Sequence, residues 1–323
     1  MGPRTDAGLK VLTMEDLRHT TVLLKEAVEA LSIVDDGIYI DGTYGRGGHS
    51  RAILQNLSAQ GKLWVIDKDP VAIADAEELH QTYPNLGIYR GSFKDIQQLA
   101  EDQTFMGKLD GLLLDLGVSS PQLDDASRGF SFMKDGPLDM RMDPDAGISA
   151  SEWLRQASLN EITDVLKRYG EERFAKRIAT AICEFRKENT IETTQQLVDI
   201  IEEATPVKDK FKHPATRSFQ AIRIYLNEEL EDLRKVLDAA LEALAVGGRL
   251  VIISFHSLED RIVKRFIRDH SRGEQYPRGM AVTEDMLNRR LKAIGKAVKA
   301  SAEELEYNSR SRSAVMRVAE KLA

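Results

Sequence analysis

The residues best suited to chemistry lie in a glycine-rich stretch, Gly37–Ser50, with the sequence GIYIDGTYGRGGHS. An apolar run ends there on Asp41, a bend with four glycines follows, and an amphipathic helix is predicted from about Ser50. Backbone N–H groups and one carboxylate would then face the same small cavity. Such a strand–turn–helix suits a nucleotide-like cofactor that carries a ribose and charged groups. A plain glycine-rich connection is the alternative.

Three more candidate residues follow other predicted strands. Asp67 lies 26 residues after Asp41 (67 − 41), near the distance at which an acid binds ribose hydroxyls in nucleotide-binding folds. A carboxylate that accepts two hydroxyl groups gains roughly 1.5–3 kcal/mol from each bond. Phe93 offers a face for an adenine ring, and Asp115 could contact the cofactor or accept from a substrate amine. Core packing for Phe93 and a turn or cap for the two acids are the structural alternatives.

Two cofactor classes fit the glycine bend, nicotinamide dinucleotides and S-adenosylmethionine. A dinucleotide usually requires the spacing G-x-G-x-x-G beside its pyrophosphate, whereas the bend reads DGTYGRGGH. The acid at its start, Asp41, would repel a pyrophosphate but attract the α-ammonium group of a methionine. The bend therefore favours S-adenosylmethionine, with Asp41 as the expected partner of the ammonium group.

Composition is typical of an ordinary cytoplasmic protein. The 323 residues are 42% apolar, enough for one large core and a smaller domain. The single cysteine, Cys183, excludes an internal disulfide. The first eighteen residues contain no apolar core and no apolar run has membrane length, so neither a signal peptide nor a membrane partner is expected. The net charge of −7 restricts RNA binding to local patches, and the six scattered histidines predict no metal site.

Strands and helices alternate along most of the chain. Strands are predicted at 37–41, 62–66, 87–90, 111–115 and in the apolar part of 248–256, and helices at 21–31, from 50 to 57 and from Pro70 onward. Asp69 is the expected N-cap of that last helix, with Pro70 in the first helical position. The alternation predicts a doubly wound, Rossmann-like α/β fold with its ligand crevice at the carboxyl ends of the strands.

The alternation breaks between about Asp125 and Asn227. Helices are predicted there at 151–156, 160–169, 171–187 and 193–203, and a helix at 227–244 then returns the chain to the sheet. We therefore expect a flexible arm at 1–18, the first part of a core at 19–124, a helical insertion at 125–226 and the second part of the core at 227–323. The tail around Glu306–Val318 is predicted to add a closing strand at the sheet edge.

Six longer motifs resemble the bacterial 16S ribosomal RNA cytosine-N4 methyltransferase family, also called MraW or RsmH. They are HTTVLL at 19–24, DGTYGRGGHS at 41–50, DLGVSSPQLD at 115–124 with RGFSFM at 128–133, GPLDMRM at 136–142, KDKFKHPATR at 208–217 and SFHSLEDR at 254–261. The resemblance extends over nearly everything from His19 onward. Six long motifs in the family's order are far more specific than a glycine bend.

This resemblance implies a class I S-adenosylmethionine-dependent methyltransferase sheet with an inserted helical RNA-recognition domain. The implied reaction is methylation of the exocyclic N4 amine of one cytidine in the decoding region of 16S rRNA, with S-adenosylhomocysteine as the second product. The donor contacts carried over by motif are Gly47, Gly48, His49, Asp67 for the ribose, Phe93 for the adenine, Asp115 and Gln122. The chain has Thr43 where the generic loop has glycine. It also has SSPQ at 119–122 where amine methyltransferases have consecutive prolines, which leaves the catalytic acceptors open.

Catalysis at a cytosine amine requires hydrogen-bond acceptors, since its lone pair is delocalised into the ring. Asp115, Ser119 and Ser120 are the candidate acceptors. His256, after the last predicted core strand, is a candidate for ordering the base or removing the product proton, and a satisfied loop histidine is the alternative. No metal is expected, because the sulfonium charge disperses as the methyl group moves.

A local basic patch at 206–223 carries five cations against one acid. The expected RNA contacts within it are Lys208, Lys210, Phe211, Lys212, His213 and Arg217, and Phe211 and His213 offer rings for stacking on an unpaired base. Arg310, Arg312 and Arg317 form a second basic strip. The expected partner is 16S rRNA within the small ribosomal subunit, and the sequence leaves open whether the chain forms a homodimer.

Two other functional classes share parts of this pattern. A nicotinamide oxidoreductase would have the same sheet and ribose acid, and a non-catalytic ribosome assembly factor would keep the basic patches. Binding of S-adenosylhomocysteine rather than NADH, and methyl transfer to small ribosomal subunits, would distinguish these classes from a methyltransferase.

Overall fold

A seven-stranded sheet forms the centre of the computed structural model, which describes residues 21–207, 213–277, 280, 283 and 285–323. Its strands are β1 (Ile38–Asp41), β2 (Lys62–Asp67), β3 (Leu86–Arg90), β4 (Leu109–Asp115), β5 (Leu244–Ser254), β6 (Leu291–Val298) and β7 (Val315–Lys321). Their order is β3-β2-β1-β4-β5-β7-β6. Strands β1 to β5 are parallel, and β7 runs antiparallel to both β5 and β6. The predicted doubly wound, Rossmann-like α/β class is confirmed, although the sheet is mixed.

Helices cover the sheet and fill the region between β4 and β5. In chain order they are α1 (Leu24–Leu31), α2 (Gly48–Leu54), α3 (Pro70–Thr82), α4 (Ile96–Asp102), α5 (Ser120–Asp124), α6 (Ala150–Gln156), α7 (Leu159–Gly170), α8 (Ala175–Phe185), α9 (Thr194–Ala204), α10 (Ala215–Leu226), α11 (Glu229–Ala243), α12 (Ser257–Arg272) and α13 (Ala302–Tyr307). None of the described helices combines the length and the apolar character that crossing a membrane requires.

The sheet is buried on both faces, as its apolar strands require. Leu112 and Leu114 of β4 belong to an apolar core shared with α4 and α11. Leu113, between them, belongs to the core on the other face, shared with α1, α2 and α3. Because side chains alternate along a strand, one apolar run supplies both cores and holds β4 in the middle of the sheet.

The start of α3 confirms the predicted cap. The Asp69 carboxylate accepts a hydrogen bond of 3.0 Å from the Val71 N–H, and Pro70 occupies the first helical turn, where its missing N–H costs nothing. Helix α1 starts later than predicted. Leu23 has a φ of 51°, and its N–H donates to Glu304 at 3.0 Å instead of continuing a helix.

The helices α6 to α10 pack around an apolar core of their own, separate from the two cores of the sheet. The four helices predicted there are present, but the prediction at 171–187 began too early. Glu171 has a φ of 49° and ends α7, and α8 begins only at Ala175. Helix α10 was not predicted, because the sequence analysis assigned the first residues of this segment to RNA binding.

The C-terminal segment differs most from the prediction. The tail does form a strand, β7, but it lies between β5 and β6, so the prediction of an edge position was wrong. Strand β6 occupies the edge instead. Its sequence, LKAIGKAV, is exposed at five of its eight positions, and two lysines and a glycine interrupt its apolar residues, so it lacks the continuous apolar run by which the other strands were recognised.

Candidate active site

A cavity opens at the carboxyl ends of β1, β2 and β4, where parallel strands bring residues distant in sequence to one edge. Eight predicted site residues line it: Gly48, His49, Asp67, Phe93, Asp115, Ser119, Ser120 and Gln122. The lining also includes residues that the sequence analysis did not select, among them Lys68, Asn227, Glu229, Leu233 and Glu259, together with Arg310 of the predicted basic strip. Three predicted residues lie behind this surface: Asp41, Gly47 and His256.

The backbone conformation of the bend and the side chains packed against it both require glycine at several of its positions. Gly45 and Gly47 have φ values of +56° and +66°, a region that other residues rarely adopt. A Cβ on Gly47 would approach the Tyr44 ring to 2.6 Å, and one on Gly48 would lie 1.8 Å from Thr21 Oγ1. Because glycine has no Cβ, the bend can pass close to these side chains, and its backbone reaches the cavity.

Asp41 is 1% exposed and holds this bend through hydrogen bonds. Its Oδ2 accepts a hydrogen bond of 2.6 Å from Ser50 Oγ, and its Oδ1 accepts one of 3.1 Å from the Thr43 N–H. Burial raises the pKa of this carboxyl, while the hydrogen bonds from Ser50 and Thr43 oppose the rise. Asp41 does not line the cavity, and both of its oxygens accept hydrogen bonds within the bend, so the structure shows it holding the bend together. Its contact with an ammonium group stays a prediction.

Asp67, at the end of β2, is fixed by two backbone hydrogen bonds. Its Oδ2 accepts from the Gly45 N–H at 2.8 Å, and its Oδ1 accepts from the Asp69 N–H at 2.9 Å. Each carboxylate oxygen has a further lone pair, so the side chain can still accept from two ribose hydroxyls. Burial is the main cause that raises the Asp67 pKa to about 6, and the charges of Asp69 and Asp41 add to it.

Phe93 lies in a turn that α11 holds in place. Asp232, fully buried on that helix, accepts hydrogen bonds of 2.7 Å from both Ser92 Oγ and Lys68 Nζ. Asp232 lies 140 residues beyond Ser92, and an acid near a helix start is usually solvated, so the sequence offered no signal for this contact. The half-buried Phe93 is thereby presented to the cavity.

Gln122 and Arg128 meet at Asp69, the N-cap of α3. Gln122 Nε2 donates to Asp69 Oδ2 at 2.9 Å, and Arg128 Nη1 donates to the same oxygen at 2.6 Å. The Gln122 Oε1 accepts from the Ser119 N–H at 3.0 Å. Arg128 Nη2 also donates to the carbonyl oxygen of Met142 at 2.9 Å. This network joins the cavity wall to the segment between β4 and β5.

Asp115 ends β4 beside the buried His49. The two side chains approach to 3.8 Å, and the Asp115 Oδ1 is buried with no hydrogen-bond partner among the described residues. Burial, followed by the charges of Asp41 and Glu259, raises the Asp115 pKa well above its ordinary value. Burial lowers the His49 pKa to about 4, so His49 is neutral at physiological pH and leaves Asp115 uncompensated. A buried unpaired oxygen of this kind is suited to accept an N–H from a ligand.

Ser119 and Ser120 lie where α5 begins, with Ser119 as its N-cap. They follow Asp115 by only four and five residues, and Gly117 between them has a φ of +93° that turns the chain back over the cavity. The three expected acceptors are therefore brought to one cavity.

His256 is the N-cap of α12 and contacts Glu259, which lines the cavity. His256 Nε2 lies 3.1 Å from Glu259 Oε1, and Glu259 Oε2 accepts from the Phe255 N–H at 2.8 Å. Burial alone would raise the Glu259 pKa, but the hydrogen bond and charge of His256 outweigh it and lower the pKa. His256 does not line the cavity itself, but it contacts Glu259, which does.

Glu229, His256 and Glu259 offer one ligand atom each within 4.8 Å of one another. Both carboxylates already have protein partners, however. Arg223 donates to both oxygens of Glu229, at 2.7 and 2.8 Å, and Glu259 is paired with His256 as described. A cation would have to displace these partners, so the cluster fits a hydrogen-bonded network better than a metal site.

The predicted RNA contacts are placed only in part. Lys208, Lys210, Phe211 and Lys212 lie outside the described residues. His213 stacks on Phe132, with ring centroids 4.7 Å apart, and its Nε2 is 3.2 Å from a Glu202 oxygen. Arg217 donates to the carbonyl oxygen of Glu171 at 3.2 Å. One face of the His213 ring is therefore covered by the protein itself.

Three arginines that the sequence analysis counted as basic surface are paired with acids. The pairs are Arg223–Glu229, Arg310–Asp124 and Arg317–Asp260, with closest N–O distances of 2.7, 2.7 and 2.6 Å. The charge available to RNA at these positions is smaller than the sequence predicts.

A family model described as the MraW methylase family matches residues 16–322. The chain belongs to the MraW methylase family. The resemblance identified from the six motifs is confirmed, and with it the prediction of a methyltransferase. The strand order of this MraW family member, with its antiparallel β7, agrees with the class I methyltransferase sheet that the resemblance implied.

Several solved structures are similar to this MraW family member at low identity. An rRNA methylase from Streptococcus thermophilus is 11% identical over 93% of this chain and 94% of its own, with a TM-score of 0.41. A protein from Streptococcus mutans in complex with SAH is 12% identical over 94% and 99%, with a TM-score of 0.42. NSun6 from Pyrococcus horikoshii with SFG is 15% identical over 98% and 56%, with a TM-score of 0.42. Membership of the MraW family rests on the family match.

Proposed function

We propose that this chain transfers the methyl group of S-adenosylmethionine to the exocyclic N4 amine of one cytidine in the decoding region of 16S rRNA, within the small ribosomal subunit. Membership of a methylase family supports methyl transfer over the oxidoreductase alternative. The observation that carries the proposal is the cavity itself. It combines a ribose-type acid, Asp67, with a buried, unpaired acceptor, Asp115.

The residues of the cavity fit the donor. Asp67 has lone pairs left for two ribose hydroxyls, and Phe93 offers an apolar ring for the adenine. Gly48 and His49 form the floor under the methionine part, and Gln122 fixes the neighbouring wall. When bound, S-adenosylmethionine supplies a methyl group made electrophilic by the sulfonium.

The acceptor side of the cavity fits an amine. The Asp115 Oδ1 has no protein donor among the described residues, so it can accept one N–H of the cytosine N4 group, and Ser119 or Ser120 can accept the other. Such bonds favour a tetrahedral nitrogen with an available lone pair. Fixed alignment of donor and amine then supplies most of the rate, up to roughly 7–11 kcal/mol.

The product proton requires a path out of the cavity. Glu259, with His256 next to it, is an acidic group in the cavity lining, and its pKa is lowered by that histidine. We assign the pair to ordering the base or passing the proton on, with no metal involved.

The helices between β4 and β5 form the proposed RNA-recognition region, residues 125–226. They have a separate core, and Met142, in the non-helical segment before α6, borders the cavity. The target base must leave its stack to reach the cavity, so a structured ribosomal particle in the cytoplasm is the proposed substrate. The basic segment at 208–212, which lies outside the described residues, stays part of this proposal.

The proposal is tested by transfer of labelled methyl groups from S-adenosylmethionine to small ribosomal subunits that lack the modification. Nucleoside analysis of the product is expected to give N4-methylcytidine at one position of 16S rRNA. Label in a different nucleoside, or in large-subunit RNA, would contradict the assigned substrate. Binding of S-adenosylhomocysteine without any transfer would favour a non-catalytic assembly factor.

A further inference from the structure

A second groove lies between α12 and the edge strand β6. In the sheet, β7 separates β6 from β5. Five cations line it: Lys264, Arg268 and Arg272 on α12, Lys296 on β6 and Arg317 on β7. No carboxylate lines the groove within the described part of the chain. In a protein with a net charge of −7, such a concentration of positive charge is a local exception.

The cations of α12 form a regular stripe. Lys264, Arg268 and Arg272 follow one another at intervals of four residues, which places them on the same helix face about 6 Å apart along the axis. All three are exposed. Arg268 has a neighbouring acid in Asp269, at 2.7 Å, whereas neither Lys264 nor Arg272 is paired with a described acid.

The strand opposite this stripe is open. A bulge in β6 sets three residues, Gly295 to Ala297, against the single residue Arg317 of β7. Gly295 has a φ of +65°, and nothing lies within 4 Å of where its Cβ would be. Because β6 is the last strand, the backbone on its outer side has no strand partner in the described sheet. Lys296, at the centre of the bulge, is exposed beside the α12 stripe.

Helix α12 connects this groove with the cavity. Glu259 in its first turn lines the cavity, and Lys264, Arg268 and Arg272 lie progressively farther along the same helix. Lys264 is five residues beyond Glu259, or about 8 Å of helix. Lys264 lies about 140° around the helix from Glu259, so an RNA strand that leaves the cavity and crosses to that face of α12 would meet a cation about every 6 Å.

We propose that this groove binds the phosphodiester backbone of the RNA that flanks the target nucleotide. Arg268 and Arg317 are paired with Asp269 and Asp260, whereas Lys264, Arg272 and Lys296 have no acid partner among the described residues. Such cations, evenly spaced along α12, match a chain of phosphates and carry no means of reading bases. The Ser271 hydroxyl, buried in the groove wall without a hydrogen-bond partner, adds a donor for a phosphate oxygen. The identity of the RNA rests on the proposed function, whereas the phosphate site does not.

The test uses the charge reversals Lys264→Glu and Lys296→Glu together, in the full chain. The matched control reverses Lys62 and Lys108, which are exposed at the opposite, amino-terminal edge of the sheet. Affinity for a fluorescein-labelled single-stranded RNA is measured by anisotropy over a series of potassium chloride concentrations. Affinity for S-adenosylhomocysteine is measured by calorimetry in the same preparations.

The groove variant is expected to lose RNA affinity by about tenfold at low salt, while the control changes little. Each lost phosphate contact on a single strand lowers the salt slope by about 0.7, so two lost contacts lower it by about 1.4. Donor-product affinity stays at the wild-type value in both variants. Equal losses in groove variant and control would overturn the inference, since they would reflect net charge alone.

Two further outcomes separate the alternatives. If the groove variant binds RNA normally but no longer sediments with vesicles of anionic phospholipid, the groove is a membrane site and the inference is wrong. If RNA binding depends on the groove but no methyl transfer is found with any ribosomal subunit, the proposed function fails and the groove assignment stands.

Discussion

Asp67 and Gly45 are joined by a hydrogen bond of 2.8 Å from the Gly45 N–H to the Asp67 carboxylate. The bond links the end of β2 to the glycine bend after β1, so the Asp67 carboxylate and the bend are fixed relative to each other. The second Asp67 oxygen is held by the Asp69 N–H at 2.9 Å. The carboxylate is therefore positioned before any donor arrives, which lowers the ordering cost of binding.

We expect Asp67→Asn to weaken binding of S-adenosylhomocysteine by about tenfold or more. An amide retains one acceptor oxygen but loses the charge that strengthens bonds from hydroxyl groups, a loss of at least about 1.4 kcal/mol. Isothermal titration calorimetry measures this directly. Asp238→Asn, at an exposed site on α11, is the control. Wild-type affinity in Asp67→Asn would remove Asp67 from the donor site.

The same substitution should change how the stability of the unliganded protein depends on pH. Burial raises the Asp67 pKa to about 6, above the value of about 4 for an unfolded aspartate. Between these values the folded state binds more protons, so the unfolding free energy contributed by Asp67 falls as pH rises. An asparagine does not titrate, so the Asp67→Asn variant does not lose this unfolding free energy as the pH rises. Its melting temperature relative to wild type should therefore increase from about pH 4 to pH 7, and a constant difference would contradict the assigned pKa.

Asp115 should make the methylation rate depend on pH. Burial and the charges of Asp41 and Glu259 raise its pKa well above the ordinary range, and only its ionised form accepts strongly from an amine. The single-turnover rate at saturating donor should fall as pH decreases through that raised pKa. Asp115→Asn should reduce the rate by roughly 10²–10⁴ and abolish this acidic limb. If the rate of the variant still falls at acidic pH as in the wild type, a group other than Asp115 causes that fall.

Arg128 should couple the insertion to the donor site. Arg128→Ala removes a 2.6 Å bond to the nearly buried Asp69 and a 2.9 Å bond to the Met142 carbonyl oxygen. We expect a stability loss of about 3 kcal/mol and a severalfold weaker donor affinity, since Asp69 caps α3 next to Asp67. Urea unfolding and calorimetry measure both effects. Arg155→Ala, an exposed arginine on α6, should change neither.

Arg223 should be a structural residue, contrary to its inclusion in the basic patch. Arg223→Ala leaves Glu229, 8% exposed, as an uncompensated charge and should cost about 3–5 kcal/mol in urea unfolding. The double variant Arg223→Ala/Glu229→Gln removes that charge and should recover part of the loss. If the single and double variants unfold at the same urea concentration, Glu229 is not the source of the penalty.

The sequence alone determined much of the donor site, because its features are local. A strand that ends in an acid and a bend that requires glycine are encoded by neighbouring residues, as with Asp67 and the stretch from Gly42 to Gly48. The parallel order then brings such strand ends to one edge, so Phe93 and Asp115 could also be named in advance, whereas Gln122 was named only through the family resemblance. The N-cap Asp69 followed by Pro70 fixed the start of α3 for the same local reason.

Only the tertiary structure decided which charged groups are free and which are used for packing. Asp41 turned inward to the bend, Arg223 paired with Glu229, and Asp232 anchored the turn before Phe93. It also placed β7 inside the sheet and left β6 at its edge, where a cationic groove formed. The reason is physical: a buried charge must find a partner, and that partner can lie anywhere along the chain. Periodicity and spacing report which residues are near in sequence, while the balance of desolvation against pairing depends on which residues are near in space.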